Sequence, residues 1–164
     1  MSKKHEQEHE TGQERAVPAP RTLPRWEELP DLELYLDQVI ALMERYLGAS
    51  AASGKPLTSS MVNNYVKTGL LPAPVKKRYA RKHLAYLLVI CALKPVLPLS
   101  AIQKLLSADA TDEEIAQLYD RFCTLFAGAE AAAFKDIDGQ EAFLRAALTA
   151  QAHQAVALAL SDSD

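Results

Sequence analysis

Apolar residues in this chain recur mostly at intervals of three and four positions, which is typical of helices with one buried face. A first helix is expected to begin with Asp31 as its N-cap and to run to about Leu47. We expect Trp26 to pack against the start of this helix. The apolar stripe of this first helix consists of Leu32, Leu36, Val39, Ile40, Met43, Tyr46 and Leu47.

A shorter helix, residues 59–68, is predicted between Thr58 and Gly69. Thr58 is a good N-cap because its side-chain oxygen can accept a hydrogen bond from a first-turn amide. Gly69 tolerates the left-handed conformation that ends many helices. One face of this helix is apolar, and the other has hydroxyl, amide and ammonium groups but no carboxylate: Ser60, Asn63, Asn64 and Lys67. Such a face fits a recognition helix in a DNA major groove.

A short extended segment with clustered cations follows this helix. Pro72 and Pro74 cannot continue a helix, and the basic segment 75–82 comes next, with Lys76, Lys77, Arg78, Tyr79, Arg81 and Lys82. Beside a recognition helix, such a segment is typical of the phosphate-gripping wing of a winged helix-turn-helix. A solvated turn with an ordinary charge run is the alternative. The polar helix face next to the segment favours the wing.

The run VNNYVKTGLLPAP, followed by Tyr79 and His83-Leu84, resembles the DNA-binding domain of mercury-resistance-type (MerR-type) regulators. The matching positions are Tyr65, Gly69, Leu70, Leu71, Pro72, Tyr79 and Leu84, and then Leu99-Ser100-x-Ile102 with Leu105-Leu106. The chain departs from that family at Asn63, where arginine is usual, at Asn64, often tyrosine, and in a shorter wing. A closer resemblance is to bacterial proteins described only as a domain of unknown function with a winged-helix core. The resemblance spans roughly Leu57 to Leu106 and implies that fold and DNA binding.

Four further helices complete the predicted all-α fold. The segment from Arg81 to Lys94 is apolar almost all round and is expected to be the central core helix. Ser100 and Gln103 are predicted to form a capping box for the next helix. Thr111 and Glu114 are predicted to form a second one, for a helix reaching about Phe126. A last, alanine-rich helix is expected over residues 140–160.

Charge is strongly segregated along the chain, although the net charge is only −3. Residues 45–108 have ten basic and no acidic side chains, whereas residues 1–44 carry a net charge of −5 and residues 109–164 one of −8. Attraction to a polyanion is a physical cause for such an acid-free stretch. Three regions are predicted: a polar, charged and proline-containing disordered tail (1–25), a winged helix-turn-helix core (26–108) and a C-terminal helical region (109–164) with a possible role in dimerisation.

Little in the sequence indicates catalysis. The chain has no glycine-rich phosphate loop and no cysteine or histidine pattern at metal-ligand spacing, so we expect no enzyme activity and no cofactor. For His83, one interpretation is a contact with a phosphate. The preferred interpretation is an ordinary surface histidine at the start of a helix. Cys91 and Cys123 are expected to be buried, reduced thiols. No apolar run approaches the length of a membrane span, and no signal peptide is apparent, so a cytoplasmic protein without a membrane partner is predicted.

These observations predict a sequence-specific double-stranded DNA-binding protein, and specifically a transcriptional regulator. The predicted contacts are Thr58, Ser59, Ser60, Asn63, Asn64, Lys67, Lys76, Lys77, Arg78, Tyr79, Arg81 and Lys82. A protein- or RNA-interaction module on the same fold, or an effector-binding sensor of unknown ligand, is the alternative. We also predict a homodimer formed by the helices after residue 109, with helix 32–47 as a further contributor. The opposing interpretation is that these helices pack back on Leu84–Leu93 in a monomer.

Overall fold

The part of the chain that the structure describes contains six α-helices and one turn of 3-10 helix. The computed structural model describes residues 19–48, 57–107, 109–135 and 139–162. The 3-10 turn is Trp26–Glu28. The α-helices are α1 (Leu36–Leu47), α2 (Ser59–Lys67), α3 (Arg81–Leu93), α4 (Leu99–Leu105), α5 (Asp112–Ala133) and α6 (Gly139–Ser161). Pairing between extended segments is limited, among these residues, to two isolated antiparallel bridges, Leu34 with Tyr79 and Val75 with Arg78. The mainly helical class is therefore confirmed.

Helix α3 lies at the centre of the core, as its nearly uninterrupted apolar sequence predicts. Every residue from His83 to Ile90 is buried, and α3 packs against α1, α4 and α5. Ile115, Tyr119 and Cys123 of α5 belong to the same core as Leu84 and Leu88 of α3. The core thus continues across residue 108, where the sequence indicated a boundary. Helix α5 also continues past its expected end near residue 126.

Three of the predicted features at helix ends are present. The Thr58 hydroxyl accepts a hydrogen bond from the Met61 amide at 3.3 Å. Gly69 adopts a left-handed conformation, with φ of +75°, just after α2. At the start of α5 the Glu114 amide donates to Thr111 Oγ1, and the Thr111 amide donates to the Glu114 carboxylate at 2.8 Å. This is the predicted capping box.

Two other predicted helix starts are wrong. Helix α1 begins at Leu36, after Tyr35 as N-cap, and not after Asp31. The reason is that Leu34 uses both its backbone amide and its carbonyl to pair with Tyr79, which keeps the chain extended there. Leu32 is consequently 72% exposed and lies outside the apolar stripe. Ser100 lies within the first turn of α4, which Pro98 precedes as N-cap, so no Ser100–Gln103 box forms.

The segment before the 3-10 turn packs along α5. The Arg21 guanidinium bonds the Glu130 carboxylate at 2.6 Å, and Arg25 donates to the Asp120 carbonyl, also at 2.6 Å. The Tyr119 hydroxyl donates to the Pro24 carbonyl at 2.8 Å. The 3-10 turn containing Trp26 packs near α5, and the Trp26 amide donates to the Asp120 carboxylate. Residues 21–25, assigned to a tail from the sequence, are therefore held by specific contacts.

The disordered tail expected over residues 1–25 falls mostly outside the described ranges. Within the described ranges, no helix combines the length and apolar character needed to cross a membrane.

Candidate nucleic-acid interface

A two-residue turn with two lysines at its tip follows α2. Val75 and Arg78 exchange backbone hydrogen bonds of 3.2 and 2.9 Å, and Lys76 and Lys77 between them have φ angles of +49° and +61°. Positive φ at both central residues defines a type I′ turn, which normally contains asparagine and glycine. Both lysine side chains are exposed. We call residues 75–78 the lysine turn.

The lysine turn is fastened to the segment that precedes α1. Tyr79, immediately after the turn, forms two backbone hydrogen bonds with Leu34, of 2.8 and 2.9 Å. The Arg78 guanidinium lies 4.0 Å from the centre of the Tyr35 ring, at cation–π distance. These contacts fix the direction of the turn. The backbone of Tyr79, next to the turn, and the side chain of Arg78, its last residue, both contact the extended segment that contains Leu34 and Tyr35.

The polar face of α2 is exposed along its length. Ser60, Asn63, Asn64 and Lys67 all lie on the solvent side, while Val62 and Tyr65 are buried in the core. Ser59, in the first turn, is exposed as well. Among the residues that the structure describes, no carboxylate lies within ion-pair distance of Lys67, Lys76 or Lys77. The polar face of α2 and the lysine turn are therefore both exposed, and their lysines are free of ion pairs with the described carboxylates.

Hydrogen bonds hold the connection between α2 and the lysine turn in place. The Leu71 amide donates to the Tyr65 carbonyl at 3.0 Å, which closes the end of α2. The His83 Nδ1 accepts from the Ala80 amide at 2.9 Å, and its Nε2 lies 3.4 Å from the Ala73 carbonyl. An acceptor at Nδ1 requires the neutral tautomer with its proton on Nε2. His83 thus ties the chain entering the turn to the start of α3.

The preferred interpretation of His83 as a surface residue is wrong, because its side chain is almost completely buried. Burial lowers the pKa of its imidazole, a larger effect than the two backbone hydrogen bonds that raise it. At neutral pH the ring is therefore uncharged and is not available for a phosphate. A histidine in the third position of a helix can accept a hydrogen bond from the backbone amide of the N-cap residue. His83 lies three residues after the N-cap Ala80, and this spacing is the sequence signal for its capping role.

Two of the predicted contact residues are occupied within the protein. Tyr79 is 4% exposed, and its ring packs edge-on against His83. The Arg81 side chain is 16% exposed and pairs with Glu27 at 3.2 Å and Asp31 at 3.6 Å. Both residues lie where the extended segment turns into α3, and the first turn of α3 is covered by the segment containing Trp26. Both side chains are therefore engaged in contacts within the protein, and their role as DNA contacts stays a prediction.

The remaining predicted contacts differ in availability. The Thr58 hydroxyl is engaged as the cap of α2, although the residue is exposed. Lys82 is partly exposed and lies 3.9 Å from Asp112. Sequence reasoning missed Tyr35, which is 48% exposed and stacks with Arg78. Residues 35 and 78 are brought together by the tertiary pairing of Leu34 with Tyr79, and no local pattern indicates that pairing.

Comparison with known proteins identifies one family. A family model described as "Domain of unknown function (DUF1836)" matches residues 24–122. No curated protein matches the chain, and neither does any solved structure. The matched region runs from the segment before the 3-10 turn to the middle of α5 and contains α2 and the lysine turn. The chain therefore belongs to the DUF1836 family of domains of unknown function.

Proposed function

We propose that this protein binds double-stranded DNA as a cytoplasmic transcriptional regulator, with α2 as recognition helix and the lysine turn as a short wing. In this proposal the arrangement is a winged helix-turn-helix of the MerR-like type. The interface consists of two parts: a helix face that reads base edges and a cationic turn that binds phosphates. Its residues are Ser59, Ser60, Asn63, Asn64, Lys67, Lys76 and Lys77, with Arg78 positioned by Tyr35.

The observation that carries the proposal is the pair of lysines in the left-handed region. A residue other than glycine costs about 1–2 kcal/mol in this conformation, so Lys76 and Lys77 are poor choices for the stability of the turn. Backbone strain of this kind is concentrated at functional sites. Two adjacent exposed ammonium groups at the tip of a protruding turn suit a polyanion, since they can approach phosphates without desolvating any other part of the protein.

The polar face of α2 favours duplex DNA over other polyanions as the ligand. Asparagine can form a bidentate pair with the edge of adenine in the major groove, and Asn63 and Asn64 are adjacent and exposed. A-form RNA has a major groove too narrow for a helix. A protein partner would more often require exposed aromatic or apolar anchors, and the exposed face of α2 has none. The combination of an amide-bearing helix and a cationic turn is therefore best explained by B-form DNA.

The proposal is tested by measuring the salt dependence of duplex binding. Each neutralised phosphate contributes about −0.9 to the slope of log K against log salt. We expect Lys76→Ala/Lys77→Ala to weaken binding to all sequences and to flatten this slope by about 2. The matched control is Lys94→Ala, which removes an exposed lysine of the same acid-free stretch at the far end of α3. It should leave the slope unchanged.

Two results would contradict the proposal. One is a slope for Lys76→Ala/Lys77→Ala equal to that of the unaltered protein. The other is tighter binding to duplex RNA than to duplex DNA of the same sequence under the same salt, which would favour an RNA-interaction module instead.

A further inference from the structure

Helix α6 has apolar residues on all sides and yet lies largely in solvent. It contains 23 residues, and its two charged residues, Glu141 and Arg145, pair with each other at 2.9 Å near its start. Residues 146–161 contain no Asp, Glu, Lys or Arg. A helix that is apolar all round is normally buried. Five large apolar side chains of α6 are nevertheless exposed: Phe143, Leu144, Leu148, Val156 and Leu160.

One side of the C-terminal half of α6 rests on the domain. The Gln154 side chain donates to the Val96 carbonyl at 3.1 Å, and Lys104 of α4 donates to the Ser161 carbonyl at the end of α6. Leu158, on the same side, is half-buried. Successive residues of an α-helix are rotated by about 100° around its axis. With this rotation, four exposed residues lie in a stripe on a different side of α6 from Gln154 and Leu158: Leu144, Leu148, Ala152 and Ala155. We call these four residues the α6 stripe.

We infer that the α6 stripe binds the α6 stripe of a second copy of this chain, in an antiparallel pair. With a two-fold axis near residue 150, Leu144 of one copy faces Ala155 of the other, and Leu148 faces Ala152. Each leucine thus meets an alanine, so that large and small side chains interdigitate. A parallel pair would oppose leucine to leucine and alanine to alanine, and would also place the two Glu141 carboxylates together.

A second copy is favoured over another partner by three properties of α6. The stripe is self-complementary, as a two-fold interface requires. The helix has no net charge, so two copies do not repel each other. A helix of 23 residues is roughly 34 Å long and about 10 Å wide, so two of them packed side by side bury on the order of 1,000 Å². This area reaches the lower limit of specific interfaces.

The position of α6 in the chain fits a separate assembly role. The family match ends at residue 122, within α5, so α6 lies outside the region shared with the family. Of the two C-terminal helices that were predicted to form a dimer, α5 packs on α3 and is used in the core. The stripe on α6 is therefore a surface available for association. This inference does not rest on DNA binding.

The test is sedimentation equilibrium of the full chain at micromolar concentration. We expect the unaltered protein to have twice the mass of the 18.0 kDa chain, and Leu148→Asp to weaken association at least 100-fold. The matched control is Leu160→Asp, because Leu148 and Leu160 are both 68% exposed on the same helix but lie on different sides. Leu160→Asp should remain a dimer. An unaltered protein of 18.0 kDa at all concentrations, or a dimeric Leu148→Asp, would overturn the inference.

The antiparallel register is tested by charge complementation. Leu148→Asp and Ala152→Lys should each be monomeric alone. Mixed, they should form a heterodimer, because the carboxylate introduced at position 148 of one copy then faces the ammonium introduced at position 152 of the other. The other three leucine–alanine contacts of the pair are intact in this heterodimer. Failure of the mixture to associate, with the unaltered protein dimeric, would overturn the antiparallel pairing.

Discussion

Tyr79 and Leu34 are joined by two backbone hydrogen bonds, and through them the lysine turn is attached to the segment before α1. The pairing brings together residues that are 45 positions apart in the sequence. It has three consequences: it delays the start of α1, buries the Tyr79 side chain, and places Arg78 over Tyr35. A single short pairing thus determines how the cationic turn is presented.

Replacing the strained lysines by residues suited to the turn should separate stability from binding. We expect Lys76→Asn/Lys77→Gly to raise the free energy of unfolding by about 1–2 kcal/mol, since asparagine and glycine accept positive φ at little cost. Duplex binding should weaken because both charges are lost. Lys76→Ala/Lys77→Ala is the control: it removes the same charges and keeps the strain. Denaturant titration and binding isotherms measure the two quantities, and a stabilised variant with undiminished DNA affinity would contradict the proposed role of the turn.

Sequence preference should depend on the two asparagines of α2. We expect Asn63→Ala and Asn64→Ala each to lose about 1–3 kcal/mol of discrimination at one base pair, by removal of a bidentate amide contact. The salt slope should be unchanged, because no charge is altered. Selection of binding sites from a random duplex library makes the measurement. An identical consensus for both variants and the unaltered protein would show that these side chains only solvate the helix.

Acidification should destabilise the protein through His83. Burial lowers the pKa of this imidazole in the folded state, so the unfolded chain binds the proton more readily, near its ordinary pKa of about 6.5. The stability that depends on an uncharged His83 is therefore fully present above about pH 6.5. It is lost as the pH falls from about 6.5 toward the lower pKa of His83 in the folded state.

The slope of the free energy of unfolding against pH isolates this effect. Between about pH 7 and pH 5 we expect His83→Gln to have a flatter slope than the unaltered protein, by at most about 1.4 kcal/mol per pH unit. Equal slopes for His83→Gln and the unaltered protein would exclude His83 as the titrating group.

Arg81 should act on stability and not on phosphate binding. Its guanidinium pairs with Glu27 and Asp31 and lies 5.6 Å from the centre of the Trp26 ring. Because both carboxylates are exposed, the ion pairs contribute little, and we expect Arg81→Ala to cost about 1–2 kcal/mol, mainly through lost packing and cation–π contact. The salt slope of DNA binding should equal that of the unaltered protein. A flatter slope would instead place Arg81 among the phosphate contacts.

The local sequence determined those features that depend on neighbouring residues. The apolar run of α3, the cap at Thr58, the left-handed end at Gly69 and the Thr111–Glu114 box were all predictable, because each follows from side chains within a few positions. The exposed polar face of α2 was equally readable from its periodicity. The acid-free stretch was visible as well, although spacing alone did not distinguish exposed cations from those engaged within the protein.

Only the tertiary structure decided which of the candidate contacts are presented to solvent. Tyr79, Arg81 and His83 are close in sequence to Lys76 and Lys77, but the chain turns inward after residue 78. The pairing with Leu34 and the segment containing Trp26 then cover them. The separation of α5 from α6 was also a tertiary outcome, because both sequences are rich in apolar residues. Whether an apolar helix is buried depends on which distant surface it can pack against. Helix α5 packs against α3, whereas large apolar side chains of α6 stay exposed.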